Sequence, residues 1–393
     1  MLTPNKLEQL SYKTAVYYEE LQEWVIKEIA ERISRTLKAS YLTNYQIKRL
    51  QELRLFNKDF IKKVSQISKL SEKEVKRIFK DAGSTNLIND REVFKEKGVK
   101  YMPLNKSPYM IDLTMRYAVQ TNNEIKNLTR TLGFKSSNKM LNKTLSVRDF
   151  FIKTLDKQYM LLDGGFISYD DAIKNVIQDM TTSGLRTVDY ESGFSNRIDV
   201  AVRRSLLGAV KNMTNIQAEI NAKLLGSTCF EITWHTGHRP SHLWGGRRFD
   251  TTGKLYLTEE KLYEKYSDRL TGEVGTLEDY NCYHEKFVVL SDSKPRYSNE
   301  RLNELEANEI KQKEYEGKKY NVYEARQKQR QLETAMRKVR LDAVGNKAIG
   351  NQEKYMQKKV RYNILRAKYK EFSETMGLKT EYQRVYYDRL GKI

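Results

Sequence analysis

Cysteine and proline are scarce in this chain. Its 393 residues include two cysteines and five prolines, so a multi-disulfide scaffold is excluded and long uninterrupted helices are permitted. We find no apolar run of membrane-spanning length, and the first residues lack the basic-then-apolar order of a secretory signal. We therefore expect no membrane anchor and a location in the cytoplasm or in a particle assembled there.

Positive charge is present in large excess and is concentrated near the C-terminus. The formal net charge is +20, and residues 320–370 contribute half of it, with 14 Lys and Arg against 4 Asp and Glu. Such an excess favours contact with phosphate, an anionic lipid surface or an acidic protein.

Helical periodicity dominates the first 225 residues. Ser71 and Glu74 have the spacing of a capping box, which predicts that a helix begins there. The apolar spacing predicts helices over 12–38, 44–54, 57–68, 71–82, 108–133, 147–162, 168–182 and 197–225.

The pattern changes at about residue 229, where short runs of β-branched and aromatic residues alternate with turn signals as far as 290. From 299 onward, a proline-free sequence rich in Lys, Arg, Gln and Glu predicts long exposed helices. We predict a predominantly α-helical α+β protein. Its regions are an N-terminal helical array (1–134), a central helical region (135–228), a β-rich unit (229–298) and a basic C-terminal helical arm (299–393).

All four histidines fall in the β-rich unit. His235, His238 and His242 lie in one short segment, and His284 follows in the sequence Asn-Cys-Tyr-His. Gly237 and Pro240 interrupt any helix between the first three, so we expect the histidines on a loop, where binding sites are common.

A structural zinc site is one hypothesis for this cluster. Zinc prefers imidazole and thiolate ligands in a tetrahedral array, and His235, His242, Cys282 and His284 could supply such a set. The alternative is that the same side chains only pack and form hydrogen bonds. A catalytic reading would use Cys282 as a nucleophile, or a histidine oriented by an acidic neighbour, but no nucleophile motif supports it, and we predict that the protein is not an enzyme.

Three separated blocks of the sequence resemble the phage minor capsid protein 2 family, which is related to Mu-type head-morphogenesis proteins. Upstream of the histidines, the matching segments are 188–193 and 199–204. Downstream, they are 323–333 and 336–338. The central block consists of His235, Gly237, Arg239, Pro240, His242, Trp244, Gly246, Asn281, Cys282 and His284. His238 and Phe194 depart from the family pattern, which has a small residue and commonly an arginine there.

The resemblance implies a structural role in the head of a tailed phage, in the virion and, during assembly, in the host cytoplasm. It further implies action inside the head near the portal, with the portal and other head proteins as partners. Gly237, Arg239, Pro240 and Trp244 form the turn of the family motif, for which the resemblance implies no established chemistry. The competing functions are a DNA-binding packaging or ejection factor and a metal-dependent enzyme that uses the histidines and Cys282.

The basic C-terminal helices are candidates for contact with packaged double-stranded DNA, because cations neutralise phosphate and interleaved tyrosines can stack. The alternatives are an ordinary solvated helix face, a docking surface for an acidic protein and a membrane-surface helix. The candidate residues are Arg326, Lys328, Arg330, Arg337, Lys338, Arg340, Lys358, Lys359, Arg361, Arg366, Lys368 and Lys370.

Overall fold

A computed structural model describes residues 4–38, 45–135, 144–187, 195–279 and 282–386. In these residues the chain is mainly helical, with small antiparallel sheets of two or three strands, which confirms the predicted α+β class. The block at 188–193, Phe194 and Asn281 lie outside the described residues. The division of the chain into four regions stays a prediction.

The helices and strands have the following bounds. The helices are α1 Pro4–Lys38, α2 Tyr45–Glu96, α3 Pro108–Arg130, α4 Val147–Asp163, α5 Tyr169–Ser183, α6 Ile198–Leu225, α7 Glu259–Lys265, α8 Asn299–Ile310, α9 Val322–Ala348, α10 Gln352–Met376 and α11 Gln383–Tyr386. The strands are β1 Leu132–Lys135, β2 Thr144–Ser146, β3 Arg186–Thr187, β4 Cys229–Ile232, β5 Arg248–Asp250, β6 Lys286–Val289, β7 Lys313–Tyr315 and β8 Lys318–Tyr320.

The largest core lies among α1 to α6 and contains the apolar faces predicted for α1 and α6. The prediction of three short helices between residues 44 and 82 was wrong, because α2 is continuous over 52 residues. Ser71 does not cap a helix but is buried in the middle of α2, and Glu74 pairs with Arg77 and with Lys13 of α1. No proline or glycine interrupts residues 45–82, so packing against α1 and α3 keeps the helix continuous.

The predicted β region contains an antiparallel sheet of strand order β5-β4-β6. Its face with Phe230, Phe249 and Val288 packs on the end of α6 and on Phe94 of α2. The opposite face contains the buried pair of Glu231 and Arg248, whose Oε2 and Nε atoms are 2.8 Å apart. The sheet is therefore anchored to the helical body, and this anchoring fixes the loops that leave its strands.

The C-terminal region is less exposed than its composition predicted. The inner face of α9 packs on α1, α5 and α10, and α10 packs on the hairpin formed by β7 and β8. The hairpin was not predicted. Its turn is Glu316-Gly317, where both residues have positive φ angles.

In the part of the chain that the structure describes, no helix is long and apolar enough to span a membrane.

Candidate functional site

The histidine-rich loop follows β4 and is held against the segment that precedes β6. The amide of Thr233 donates to the carbonyl of Glu285 over 2.9 Å, and the amide of Glu285 donates to Oγ1 of Thr233 over 2.9 Å. This pairing brings the rings of His235 and His284 to a centroid distance of 4.2 Å. Two segments that are distant in sequence thus meet in one cluster of rings.

His242, Cys282 and His284 form a compact group of potential metal ligands. One ligand atom from each lies within 4.8 Å of the others, and all three residues are buried. The Sγ atom of Cys282 is 3.5 Å from Nδ1 of His284. Three of the four predicted zinc ligands are therefore brought together.

His235 and His238 lie beside this group but are not part of it. His235 contacts His284 through its ring, while its Nδ1 atom lies 3.3 Å from the carbonyl oxygen of Thr236. His238 is buried, its Nδ1 atom is 2.8 Å from the carbonyl oxygen of Arg239, and its ring packs edge-on against Trp234. Of these two residues, His235 lies closer to His284 and is therefore the candidate for a fourth metal ligand.

Burial keeps these groups uncharged. It lowers the pKa of His242 to about 4, that of His235 to about 3 and that of His284 well below its ordinary value. Burial also raises the pKa of the Cys282 thiol. A thiolate–imidazolium pair, which a nucleophilic cysteine requires, is therefore disfavoured, whereas neutral imidazoles are the form that coordinates metal ions.

The predicted motif turn shapes the site. Gly237 has a φ of +74°, and its amide donates to Oε2 of Glu309 over 2.8 Å. Pro240 begins a single 3-10 turn that ends at His242.

Trp244 is fully buried, and its indole N–H donates to the carbonyl of Gly275 over 2.8 Å, so the ring closes one side of the histidine cluster. Arg239 lies 3.8 Å from the carboxylate of Asp279.

Some residues of the site were missed by the sequence analysis. The carboxylate of Asp279 accepts a hydrogen bond from Nε2 of His242 over 2.9 Å. A Cβ atom at Gly245 would lie 2.7 Å from Nε2 of His284, and one at Gly275 would lie 2.4 Å from Cδ2 of His242. Lys211, a buried cation of α6, donates to the carbonyl oxygens of Leu277 and Asp279. The sequence contained one signal for Asp279, which lies only three residues before the proposed ligand Cys282.

A cavity of about 370 Å³ adjoins the histidines. Its walls come from α1, α6, the histidine loop, the start of α9 and the segment around α11. Residues from all three sequence blocks line it: Arg203 from the upstream block, His242 and Cys282 from the central block, and Arg326 from the downstream block. The motif residues are thus assembled around one space.

The twelve predicted basic residues do not form one surface. Arg326 and Arg330 line the cavity, Arg340 is 1% exposed and pairs with Glu23 over 2.6 Å, and Arg337 donates to the carbonyl of Arg384 over 3.3 Å. Lys328 and Lys338 are half-buried on α9. The half-buried or exposed residues on α10 are Lys358, Lys359, Arg361, Arg366, Lys368 and Lys370.

Residues 2–374 match the model of the family described as phage minor capsid protein 2. No curated protein and no solved structure matches the chain. Because the match extends over nearly the whole chain, this protein belongs to the phage minor capsid protein 2 family and is a structural protein of the phage head.

Proposed function

We propose that this head protein is an internal, low-copy component that assembles at the portal, and that the outer face of α10 contacts another head protein. The observation that carries the proposal is an exposed apolar row on a basic helix. Met356, Val360 and Ile364 recur every four residues and are 46%, 56% and 53% exposed. Exposed apolar side chains in a row favour a protein partner over water or phosphate.

The cations of α10 flank this row on both sides. At 100° per residue, Lys359, Arg366 and Lys370 follow one edge of the row, and Arg361 and Lys368 follow the other. The complementary partner surface is an apolar groove with acidic rims, in which the cations set orientation and the apolar row supplies binding energy. The choice of the portal among head proteins rests on the family resemblance.

A matched pair of variants tests the contact. Val360→Glu places a carboxylate in the middle of the apolar row, and Ile47→Glu makes the same change at a 57% exposed position on α2. We expect Val360→Glu to weaken co-sedimentation with purified portal by at least about tenfold, corresponding to about 1.4 kcal/mol, and Ile47→Glu to leave it unchanged. Equal binding of the portal by the two variants would show that α10 is not part of the interface.

DNA contact is the second candidate function, and the row of Lys359, Arg366 and Lys370 favours it. Three cations along one edge of a helix can follow a phosphate backbone, and such binding weakens steeply with salt. Replacing all three by glutamine should lower the affinity for double-stranded DNA and reduce the slope of log affinity against log salt by about 2 to 3. An unchanged slope would exclude this row as the DNA contact.

We propose in addition that His242, Cys282 and His284 bind a structural zinc ion, with His235 as the fourth ligand. The donor set fits zinc, because it combines neutral imidazoles with a thiol that loses its proton on binding. Asp279 holds one ring nitrogen of His242, an arrangement that orients a histidine whose other nitrogen coordinates metal. When bound, zinc would tie the loop after β4 to the segment before β6.

The two buried cysteines provide a matched test. Cys282→Ser removes a proposed ligand, whereas Cys229→Ser makes the same change in β4, outside the ligand group. We expect elemental analysis to find equimolar zinc in the wild type and in Cys229→Ser, and none in Cys282→Ser, which should also melt at a lower temperature. Zinc retained by Cys282→Ser, or absent from the wild type after growth with zinc, would refute the proposal.

A further inference from the structure

Arg326 lies at the edge of the cavity and forms no close ion pair with the described residues, although Glu381 and Glu309 attract its charge from a longer distance. Its side chain crosses over Gly237, where an added Cβ atom would lie 2.3 Å from both Cδ and Nε of Arg326. Nε is buried, and none of the described residues accepts a hydrogen bond from it or forms an ion pair with the guanidinium. A guanidinium held in this way against a cavity is poised for an acceptor from outside the chain.

The other cations around the cavity are matched by carboxylates. Glu8 accepts hydrogen bonds from Arg203 and Arg384. Glu333 and Glu381 both lie 3.0 Å from Nη1 of Arg330. Arg239 lies 3.8 Å from the carboxylate of Asp279, and the amide of Gly237 occupies Oε2 of Glu309. Among the described cations that line the cavity, Arg326 alone has no carboxylate within ion-pair distance, and Glu381 and Glu309 attract it only from farther away.

The first turns of α9 place further hydrogen-bonding groups beside Arg326. Tyr323, Gln327 and Arg330 line the same cavity at offsets of −3, +1 and +4 from Arg326, which form one face of the helix. A phenol, an amide and two guanidinium groups thus point into a space of about 370 Å³, a size typical of small-ligand sites.

We infer that this cavity binds a phosphate group, with Arg326 as its principal cation and with Tyr323 and Gln327 as additional donors. A guanidinium fork matches phosphate oxygens in pairs, and loss of one charge-assisted contact of this kind typically weakens binding by about tenfold or more. The source of the phosphate is free phosphate or a mononucleotide, since both present the same group. The inference does not depend on zinc, because Arg326 and its neighbours on α9 are not among the proposed ligands.

Isothermal titration calorimetry on the full chain, in buffer free of phosphate and sulfate, tests the inference. The probes are inorganic phosphate, deoxyadenosine 5′-monophosphate and deoxyadenosine. We expect the wild type to bind both phosphate-containing probes and to show no binding of deoxyadenosine. Tighter binding of the nucleotide than of phosphate would identify a nucleotide as the source, and equal binding would identify free phosphate. No binding of either phosphate probe, or equal binding of nucleotide and nucleoside, would overturn the inference.

Variants assign the binding to Arg326. Arg326→Gln should weaken phosphate binding by at least about tenfold, whereas Arg54→Gln, which removes an exposed arginine of α2, should leave it unchanged. Arg326→Lys keeps the charge without the fork and should give an intermediate affinity, which provides a readout if Arg326→Gln does not fold. Wild-type affinity in the folded Arg326 variants would overturn the inference.

Discussion

Substitution of Arg340 can show whether this basic residue stabilises the fold or contacts a ligand such as DNA. The sequence groups it with the basic residues that could contact DNA, but its side chain is 1% exposed and its Nη2 atom lies 2.6 Å from Oε2 of Glu23 on α1. This ion pair joins α9 to α1 across the interface between the C-terminal helices and the N-terminal core. Arg340→Met keeps most of the aliphatic volume and removes the charge and its hydrogen bonds.

The size of the expected effect follows from the burial of the two partners. Breaking a fully buried ion pair by removing one partner costs about 3–5 kcal/mol, because the remaining charge is left without compensation. Glu23 is 24% exposed and regains some water, so we expect a loss of about 2–3 kcal/mol in the free energy of unfolding. The same substitution at the exposed Arg361 should change that free energy by less than about 0.5 kcal/mol.

Urea unfolding and DNA titration on the same samples provide the assay. We expect Arg340→Met to lower the midpoint of unfolding and to leave any DNA affinity of the folded protein unchanged. A variant as stable as the wild type would refute the energetic argument for the pair with Glu23. Loss of DNA affinity in a fully folded Arg340→Met protein would refute its assignment as a structural residue.

Three further predictions concern the histidine centre. The pKa of His242 is lowered to about 4 from an ordinary value of 6.5, so below about pH 6.5 the unfolded state takes up a proton that the folded state does not. In metal-free protein, stability should therefore fall as the pH is lowered, and from about pH 7 to about pH 5 the wild type should lose about 2 kcal/mol more than His242→Gln in urea unfolding. Trp244→Phe removes the hydrogen bond to Gly275 and leaves a void, so it should cost about 2–4 kcal/mol and alter the near-ultraviolet circular dichroism. Gly275→Ala forces a methyl group against His242 and should cost about 1–3 kcal/mol, whereas Gly208→Ala, with open space in α6, should be neutral or stabilising in thermal melts.

Local signals in the sequence predicted those helix ends at which a side chain or a glycine determines the conformation. Ser168 caps α5 by accepting from the amide of Asp171, and Gly184 follows its last residue with a φ of +65°. The prediction of 168–182 for this helix is confirmed within one residue at each end. The same reasoning failed at Ser71, because a capping sequence does not begin a helix where packing against α1 and α3 favours continuation.

The candidate site was only partly predictable for the same reason. The order of histidines and Cys282 indicated a cluster, and the structure brings His242, Cys282 and His284 together. The contributions of Asp279 and of Arg326 depend on contacts between segments that are distant in the chain, and periodicity carries no information about such contacts. Composition also could not separate Arg340 from Arg361, since a basic residue on a helix has the same sequence signature whether it is buried or exposed.

The contacts of Glu8 show that the cavity is built from several parts of the chain. Its carboxylate accepts hydrogen bonds from Arg203 of α6, Tyr283 of the segment before β6, and Arg384 of α11, so four parts of the chain converge on one group. Each contact is between residues far apart in sequence, and the full set can form only after the helical core, the β unit and the C-terminal helices have docked together. A phosphate bound in the cavity beside this junction would be held only by the docked form and would stabilise it by mass action. The junction thereby couples ligand binding to complete docking of the helical core, the β unit and the C-terminal helices.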